Sequence, residues 1–448
     1  MIVLPDGIAA TDALLAKLDQ CWMAGFAHLS AEHKHTLNLV RQLFADTPLA
    51  EQLATALEAI YQGVYQPEHL RMLAAARAAL QGAQYDHIRQ AVNTALKRQP
   101  LPEPPPQQHE TLLPTEPLAK GAAHWLMDIA LQGFARLEAG ELSAFDSTLT
   151  QLQAKPDRMP LMAVLNGLLN ELSGAVPVTA PDTAPLFRWV DLWSRALLMT
   201  APQPERAYEP VSGTLYLMGV EWRTQRRLVS VIFYGILALD DGAVWVRATF
   251  SAYKVNAIQR EETALLLPQI ALLLRALRDS DTLQLQNMRL LSTGDLLWDE
   301  QQAVAGKSYK LIEVAQRYLA QGAAEALHIP PMPAEKRHPV HVAVPVVLAP
   351  YRVDDGFVEA GGLRLQVDQR RICETELDLP ALAKHNQLVG LVRYDNQQLW
   401  LQPLAAVNKM HLPAFIGIKD TLKLFDAPPK DSTVALLQER ASRLLREK

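Results

Sequence analysis

Arginine and tryptophan cluster at the bend between two runs of alternating apolar residues, at Trp222, Arg223, Arg226 and Arg227. An aromatic ring beside guanidinium groups can stack on a base and neutralise phosphates, which suits single-stranded nucleic acid. The same arginines would also keep a strand edge charged and protect it from aggregation. Because 43 Lys and Arg face 48 Asp and Glu, the net charge of −5 provides no field that attracts a polyanion. The pattern favours the structural role and leaves nucleic-acid binding as an alternative.

The densest group of potential metal ligands is His28, Glu32, His33 and His35. A metal site on one helix needs its ligands on one face, and only Glu32 and His35 meet that condition. Ser30 is expected to cap a helix, which would separate His28 from the others. We predict a solvated first turn here, and a plain surface position for His338 and His341, which flank Pro339.

Residues Ala305-Gly306-Lys307-Ser308 resemble the end of a phosphate-binding Walker A loop. The motif fails at its first glycine, where Gln301 stands, so the segment is predicted to be a helix start capped by Ser308. Nucleophile elbows, dinucleotide-binding glycine loops, EF-hands and paired-cysteine knuckles are absent from the sequence. We therefore predict no catalytic, cofactor-binding or metal-binding residue. Catalytic triads are spatial, so an enzyme with a dispersed site in Val340–Gly417 stays open.

Five predicted helices occupy residues 1–98, because apolar residues recur there at three- and four-residue spacing between capping signals. Short turns between such helices favour an antiparallel bundle. A short helical solenoid is the second choice, because we find no exact repeat motif.

Seven prolines in residues 99–118 remove backbone donors and predict an extended linker. An SH3-type ligand at Pro102–Pro105 is the alternative. Residues 119–329 form the predicted central body, in which helices with a Trp189, Trp193 and Leu197 core stripe precede a β-meander. The meander strands are Gly213–Arg223, Arg227–Leu239 and Ala243–Val255, followed by a covering helix Glu261–Arg278, a strand Thr282–Leu291 and a helix Ser308–Gln321.

A second proline-containing linker is predicted at residues 330–339, before a C-terminal module of residues 340–448. Its short strands are Val340–Leu348, Gly362–Val367, Leu388–Tyr394 and Leu399–Pro403, and its last helix is Ser432–Arg446. The predicted fold class is multidomain α+β: an N-terminal antiparallel helical bundle, a central helical and β-meander body, and a C-terminal small β-barrel or sandwich.

The N-terminus lacks a basic segment before an apolar one, and its apolar start is interrupted by Pro5. Two cysteines, Cys21 and Cys373, cannot form a disulfide framework or a paired-cysteine zinc site. A reducing, cytoplasmic location is therefore expected.

The segment RWVDLWSRALLMT, with the strand that follows it and LLSTGDLLWDE, resembles part of a group of uncharacterised bacterial proteins. Those proteins are encoded beside MoxR-type AAA+ ATPases, von Willebrand factor A-domain proteins and SWIM zinc-finger proteins. The resemblance covers about residues 186–300 and implies an accessory or adaptor subunit with an AAA+ ATPase and a von Willebrand A-domain protein as partners. A non-enzymatic interaction protein with a mobile tether is the leading hypothesis, because a tether raises the effective concentration of partners held at its two ends.

Overall fold

The computed structural model describes residues 2, 4–98, 117–153, 158–202, 208–224, 228–255, 257–258, 260–320, 327–330, 332, 337–368, 377, 379–395, 397–408, 413–415, 418–426 and 432–446. The described residues form helices and two mixed sheets of seven strands. Within these ranges, every helix is too short or too polar to cross a membrane.

Helices of the N-terminal part pack around one core that extends to Leu197 and also includes Leu228 of the first sheet. The first helices are α1 (Gly7–Ala24), α2 (Ala31–Leu43), α3 (Ala50–Tyr61) and α4 (Pro67–Ala95). They are followed by α5 (Pro117–Gln132), α6 (Ala139–Ser143), α7 (Asp146–Gln153), α8 (Met159–Ser173) and α9 (Leu186–Met199). The Trp189, Trp193 and Leu197 stripe is buried there, as predicted.

A degenerate internal repeat with a spacing of 108 residues organises this helical layer. The turn Gly25-Phe26-Ala27-His28-Leu29-Ser30-Ala31 recurs as Gly133-Phe134-Ala135-Arg136-Leu137-Glu138-Ala139, with five of seven residues identical. Both glycines end a helix at nearly the same backbone angles, φ 90° and 89°, and both precede a 3₁₀ turn. The same spacing relates buried leucines of the two halves, namely Leu18 to Leu126, Leu53 to Leu161 and Leu57 to Leu165. No exact motif exists, but the expectation of an unrepeated bundle missed this duplication.

The two repeated turns touch each other through their glycines. A Cβ on Gly25 would lie 2.5 Å from the Gln132 carbonyl oxygen, and a Cβ on Gly133 would lie 2.5 Å from the Gly25 nitrogen. Each phenylalanine of the turn meets a tryptophan edge-on, Phe26 with Trp22 at 5.0 Å and Phe134 with Trp189 at 5.7 Å. Only glycine allows the two backbones to approach this closely at a positive φ.

The first sheet contains the predicted meander. Its strands are β1 (Tyr208–Thr224), β2 (Leu228–Leu239), β3 (Gly242–Tyr253), β4 (Asp281–Leu291), β5 (Leu296–Leu297), β6 (Ala303–Ser308) and β7 (Leu327–His328). The strand order is β5-β4-β1-β2-β3-β7, and β6 pairs with β4. The Asp240-Asp241-Gly242 turn joins β2 to β3, so the hairpin prediction is confirmed. Helices α10 (Ala271–Asp279) and α11 (Leu311–Leu319) contribute to the core of this sheet.

The second sheet is built from the C-terminal strands β8 (Val344–Leu348), β9 (Arg352–Asp354), β10 (Phe357–Ala360), β11 (Leu363–Val367), β12 (Gln387–Asp395), β13 (Gln398–Val407) and β14 (Pro413–Phe415). The order is β8-β12-β13-β11-β10-β9, with β14 on β13. The order leaves β8 and β9 at opposite edges, so the described strands form no closed barrel, and the barrel alternative is wrong for them. Helices α12 (Leu379–Ala383), α13 (Ile418–Asp426) and α14 (Thr433–Arg446) complete this part.

The hydrophobic cores extend across both predicted linkers. One core contains side chains of both sheets, including Val220 and Leu404, and a Cβ on Gly219 would lie 2.7 Å from the Leu404 Cβ. Another joins Ile88 and Val92 of α4 to strands of the second sheet. Helix α4 has 29 residues, or about 43 Å at 1.5 Å per residue, so its first half lies in the helical layer and its second half reaches the sheet. The predicted 99–118 linker lies outside the described residues except for Pro117 and Leu118, which begin α5.

Two helix predictions in the central part are wrong. The helix Glu261–Arg278 is interrupted, because 3₁₀ turns occupy Arg260–Leu266 and Pro268–Ile270 before α10 begins. Proline at position 268 cannot donate its backbone N–H, which separates the two segments. The helix Ser308–Gln321 starts later, at Leu311, because residues 303–308 pair with β4 instead. The Thr282 hydroxyl donates to the Lys307 carbonyl oxygen at 3.0 Å and helps hold that pairing.

Candidate functional site

A buried ion pair ties the first helix to the long fourth helix. Arg77 donates two parallel bonds to Asp19, Nε to Oδ1 at 2.7 Å and Nη2 to Oδ2 at 2.8 Å. Neither residue is more than 1 % exposed. The guanidinium also lies 5.0 Å from the centre of the Phe187 ring and donates to the Phe187 carbonyl oxygen at 3.2 Å. A bidentate geometry of this kind offsets much of the cost of removing both charges from water.

Asp191 of α9 extends the pair into a cluster. Its carboxylate lies 2.5 Å from Arg195 Nη2, 3.9 Å from Arg77 Nη1 and 3.5 Å from His338 Nε2. Burial alone would favour the neutral acid, but the charges of Arg195 and Arg77 hold the pKa of Asp191 below its ordinary value. Burial raises the pKa of Asp19 to about 6, with Arg77 opposing that change.

Two histidines complete this group, which we call the junction cluster: Asp19, Arg77, Asp191, Arg195, His338 and His341. The predicted surface position is wrong for His338, whose side chain is 7 % exposed. Its Nδ1 accepts the Val340 N–H at 3.0 Å, and its ring lies 5.1 Å from Phe187. His341 is half-buried, but its Nε2 is shielded from solvent and has no hydrogen-bond partner. Its ring centre lies 6.1 Å from that of His338.

A second polar group, the intersheet cluster, lies between the two sheets: Glu221, Arg223, Tyr234, Arg393 and Gln402. Glu221 is 3 % exposed and accepts from Arg223 Nε at 2.7 Å and from the Tyr234 hydroxyl at 2.8 Å. Arg393 of β12 donates to Gln402 at 2.9 Å and to Glu221 at 3.3 Å. His341 feels the charges of Arg195 on the helical side and of Arg223 and Arg393 on the sheet side. The two clusters are thus electrostatically connected through His341.

These two clusters join separate layers of the structure through ion pairs and hydrogen bonds. Their carboxylates accept from arginines, His338 Nε2 faces Asp191, and the charges of Arg195, Arg223 and Arg393 act on His341. Because His338 Nδ1 accepts a backbone N–H, the proton of the neutral ring sits on Nε2, which leaves no lone pair there for a metal. In the part of the chain that the structure describes, no group of three or more His, Cys, Asp or Glu side chains is arranged to hold a metal ion.

The predicted arginine cluster is placed only in part. Trp222 packs partly buried against the core shared by the sheets, while the Arg223 side chain is 38 % exposed and paired with Glu221. Arg226 and Arg227 lie outside the described residues. Pairing with Glu221 offsets the charge that Arg223 would offer to a phosphate, and nucleic-acid binding by these four residues stays a prediction.

The other sequence features have structural roles. Ser30 caps α2, accepting from the His33 N–H at 3.2 Å, while His33 Nδ1 accepts from the Ser30 N–H at 3.2 Å. His33 therefore completes a capping box. The Ala305–Ser308 segment lies in strand β6. A surface depression of about 460 Å³ lies over α2 and α3, lined by Arg41, Ala54, Thr55, Glu58, Ala59 and Gln62, none of which belongs to either cluster.

Sequence reasoning missed Asp19, Arg77 and Asp191, although a signal was present. Arg77 interrupts an apolar, alanine-rich run on α4, and Asp191 stands four residues before Arg195 on the tryptophan-bearing helix. A charged side chain on an otherwise apolar helix face needs a buried partner.

No protein-family model, no curated protein and no solved structure matches this chain.

Proposed function

We propose that the protein is a non-enzymatic adaptor of a bacterial multiprotein system, whose first helical repeat binds a partner protein through an apolar strip on α2. The strip consists of Leu39 and Leu43, whose exposed fractions are 37 % and 58 %. These residues are one helical turn apart and share a face. Exposed apolar side chains that lie together are typical of protein interaction sites.

The second repeat provides an internal reference for this surface. The residues 108 positions later are Ser147 and Gln151, which are also exposed but polar. The duplicated fold therefore does not require leucine at these positions, since the corresponding helix α7 forms with polar residues there. The single observation that carries the proposal is this replacement of polar residues by two exposed leucines in one repeat only.

The resemblance of residues 186–300 supports a choice of partner. It directs the first test to a MoxR-type AAA+ ATPase and a von Willebrand A-domain protein from the same genome. The connected clusters between helices and sheets suit an adaptor, since they fix the repeat relative to the rest of the chain.

The test is a binding titration of the full-length protein with the purified ATPase and, separately, with the von Willebrand A-domain protein. Leu39→Ser combined with Leu43→Gln introduces the residues of the second repeat, and we expect at least a tenfold weaker affinity, corresponding to about 1.4 kcal/mol. The matched control combines Ser147→Ala with Gln151→Ala and should bind as the wild type does. Equal binding by the leucine variant and the wild type, or no binding of either protein to the wild type at micromolar concentrations, would contradict the proposal.

A further inference from the structure

The segment from residue 337 to residue 342 lies between the helical layer and the second sheet. Its 3₁₀ turn, Pro339–His341, contacts both α4 and β12. Arg337 pairs with Asp86 of α4 at 2.9 Å, and Val342 is buried with Ile88 in the core shared with the sheet. This short segment therefore contributes to the attachment between the two layers.

His338 fits this position only in its neutral form. Its Nδ1 accepts the Val340 N–H at 3.0 Å and thereby caps the 3₁₀ turn. Adding a proton to Nδ1 would set two N–H donors against each other and remove the cap. The other ring nitrogen already faces Asp191 Oδ1, at 3.5 Å.

Charged groups surround the two histidines from every packed element. Helix α9 contributes Arg188, Asp191 and Arg195, α4 contributes Arg77, α1 contributes Asp19, β1 contributes Glu221 and Arg223, and β12 contributes Arg393. The carboxylates in this set already accept from arginines: Asp19 from Arg77, Asp191 from Arg195 and Glu221 from Arg223. An added proton on His341 would therefore meet mainly guanidinium groups, whereas one on His338 would be attracted by Asp191 and repelled by the arginines.

We propose that His338 and His341 form an acid-labile latch, and that protonating them releases the helical layer from the sheets before the sheets themselves unfold. The proposal does not depend on the adaptor function.

The direction of the pH dependence follows from the folded-state titration. Burial lowers the pKa of His338 to about 3, against the attraction of Asp191, and burial together with nearby arginines also lowers the pKa of His341. A lowered histidine pKa stabilises the docked state above the ordinary value of about 6.5, and this stabilisation is lost as the pH falls below it. As the pH falls below about 6.5, protonation of each histidine weakens docking by up to about tenfold per pH unit. The two histidines together weaken it by up to about a hundredfold per pH unit.

Asp19 acts in the opposite sense. Burial raises the pKa of Asp19 to about 6. Its protonation in the folded state therefore strengthens docking by up to about tenfold per pH unit as the pH falls from about 6 to about 4. The two histidines outweigh this single carboxyl group, so the net effect of acid is release.

The test is hydrogen exchange with mass spectrometry on the full-length protein at about pH 7.5 and about pH 5, corrected for intrinsic exchange rates. We expect residues 186–199 and 82–95 to lose protection at the lower pH while β2 and β3 keep theirs. His338→Asn retains a side-chain acceptor for the Val340 N–H without titrating, and His341→Gln removes the second titrating group. In the double variant, protection of residues 186–199 at the lower pH should exceed that of the wild type by at least tenfold.

The control is His35→Gln, at a solvent-exposed position of α2, which should behave as the wild type does. The wild-type measurement is decisive even if the double variant fails to fold. Loss of protection with one midpoint in helices and sheets alike, or unchanged protection of residues 186–199 at the lower pH, would overturn the latch. An unaltered acid response in a folded double variant would overturn it too.

Discussion

The two helical repeats share a turn but use it differently. In the first repeat, α2 is one continuous helix and α4 extends from the helical core into the core of the second sheet. In the second repeat, the counterpart of α2 is split into α6 and α7, and α9 stays within the helical core with its tryptophans. The turn and its buried neighbours are common to both, because the two glycines touch and neither can change alone. The difference teaches that the repeats share the contact between their turns, whereas only the first repeat has a helix, α4, that extends into the core of the second sheet.

The largest expected effect comes from the buried Asp19–Arg77 ion pair of the first repeat, whose arginine also contacts α9 of the second repeat. Arg77→Met should lower the free energy of unfolding by about 3–5 kcal/mol, because it leaves the Asp19 charge buried without its bidentate partner. Urea unfolding followed by tryptophan fluorescence measures the loss. Lys310→Met is the control and should cost less than about 1 kcal/mol, because Lys310 and its partner Glu313 are both largely exposed, at 67 % and 65 %. Similar losses for both variants would mean that the junction cluster does not hold the repeats together.

The glycine contact should be nearly as sensitive. Gly25→Ala and Gly133→Ala should each cost about 3 kcal/mol, because each adds a Cβ against backbone atoms at a positive φ. The losses in the double variant should not add, since both changes disturb one contact. Thermal unfolding measures them, with Gly121→Ala of α5 as a control, because no atom lies within 4 Å of a Cβ there. If only one of the two substitutions lowered the stability, the two glycines would not have equivalent roles in the repeats.

Helix capping should have a smaller effect and should differ between repeats. Ser30→Ala should cost about 1 kcal/mol, because the hydroxyl that accepts the His33 N–H is lost. Glu141 stands at the position of His33 in the second repeat and accepts the Glu138 N–H at 2.9 Å. Glu141→Ala should cost about 0.5–1 kcal/mol in the same unfolding assay, because one of the exposed backbone donors loses its acceptor. A larger loss at Glu141 than at Ser30 would reverse the expected order.

The smallest effect on stability is expected at the apolar strip. Leu39→Ser combined with Leu43→Gln should change the free energy of unfolding by about 1 kcal/mol or less, because Leu43 is 58 % and Leu39 37 % exposed, so that little apolar burial and some helix propensity are lost. Circular dichroism during thermal unfolding checks this. A large destabilisation would show that the leucines pack within the protein, and the difference between the repeats would then carry no functional meaning.

Local sequence signals predicted the elements whose stability is local. The β2–β3 hairpin follows from Asp240-Asp241-Gly242 between alternating apolar runs. The last helix begins at Thr433, and the Ser432 hydroxyl accepts the Ala435 N–H at 3.1 Å as an N-cap. The Ala305–Ser308 segment was misassigned, because its cap-like residues pair with β4 and no local rule contains that partner.

The candidate site was beyond local reasoning for the same reason. Asp19 and Arg77 are 58 residues apart, and Glu221 and Arg393 are 172 apart. The predicted Trp222, Arg223, Arg226 and Arg227 cluster was visible because it is contiguous, whereas the junction cluster assembles from four separate segments.

The amino-acid sequence by itself determined the types of most elements, the meander, the turns and the buried stripe of α9, because periodicity and capping act within a few residues. Only the tertiary structure decided that helices on both sides of the proline-rich segment share one core and that α4 spans two cores. It alone decided that His338 is enclosed between an aspartate and several arginines. Burial and charge at these positions depend on side chains brought together from distant segments, and it is their packing that excludes water.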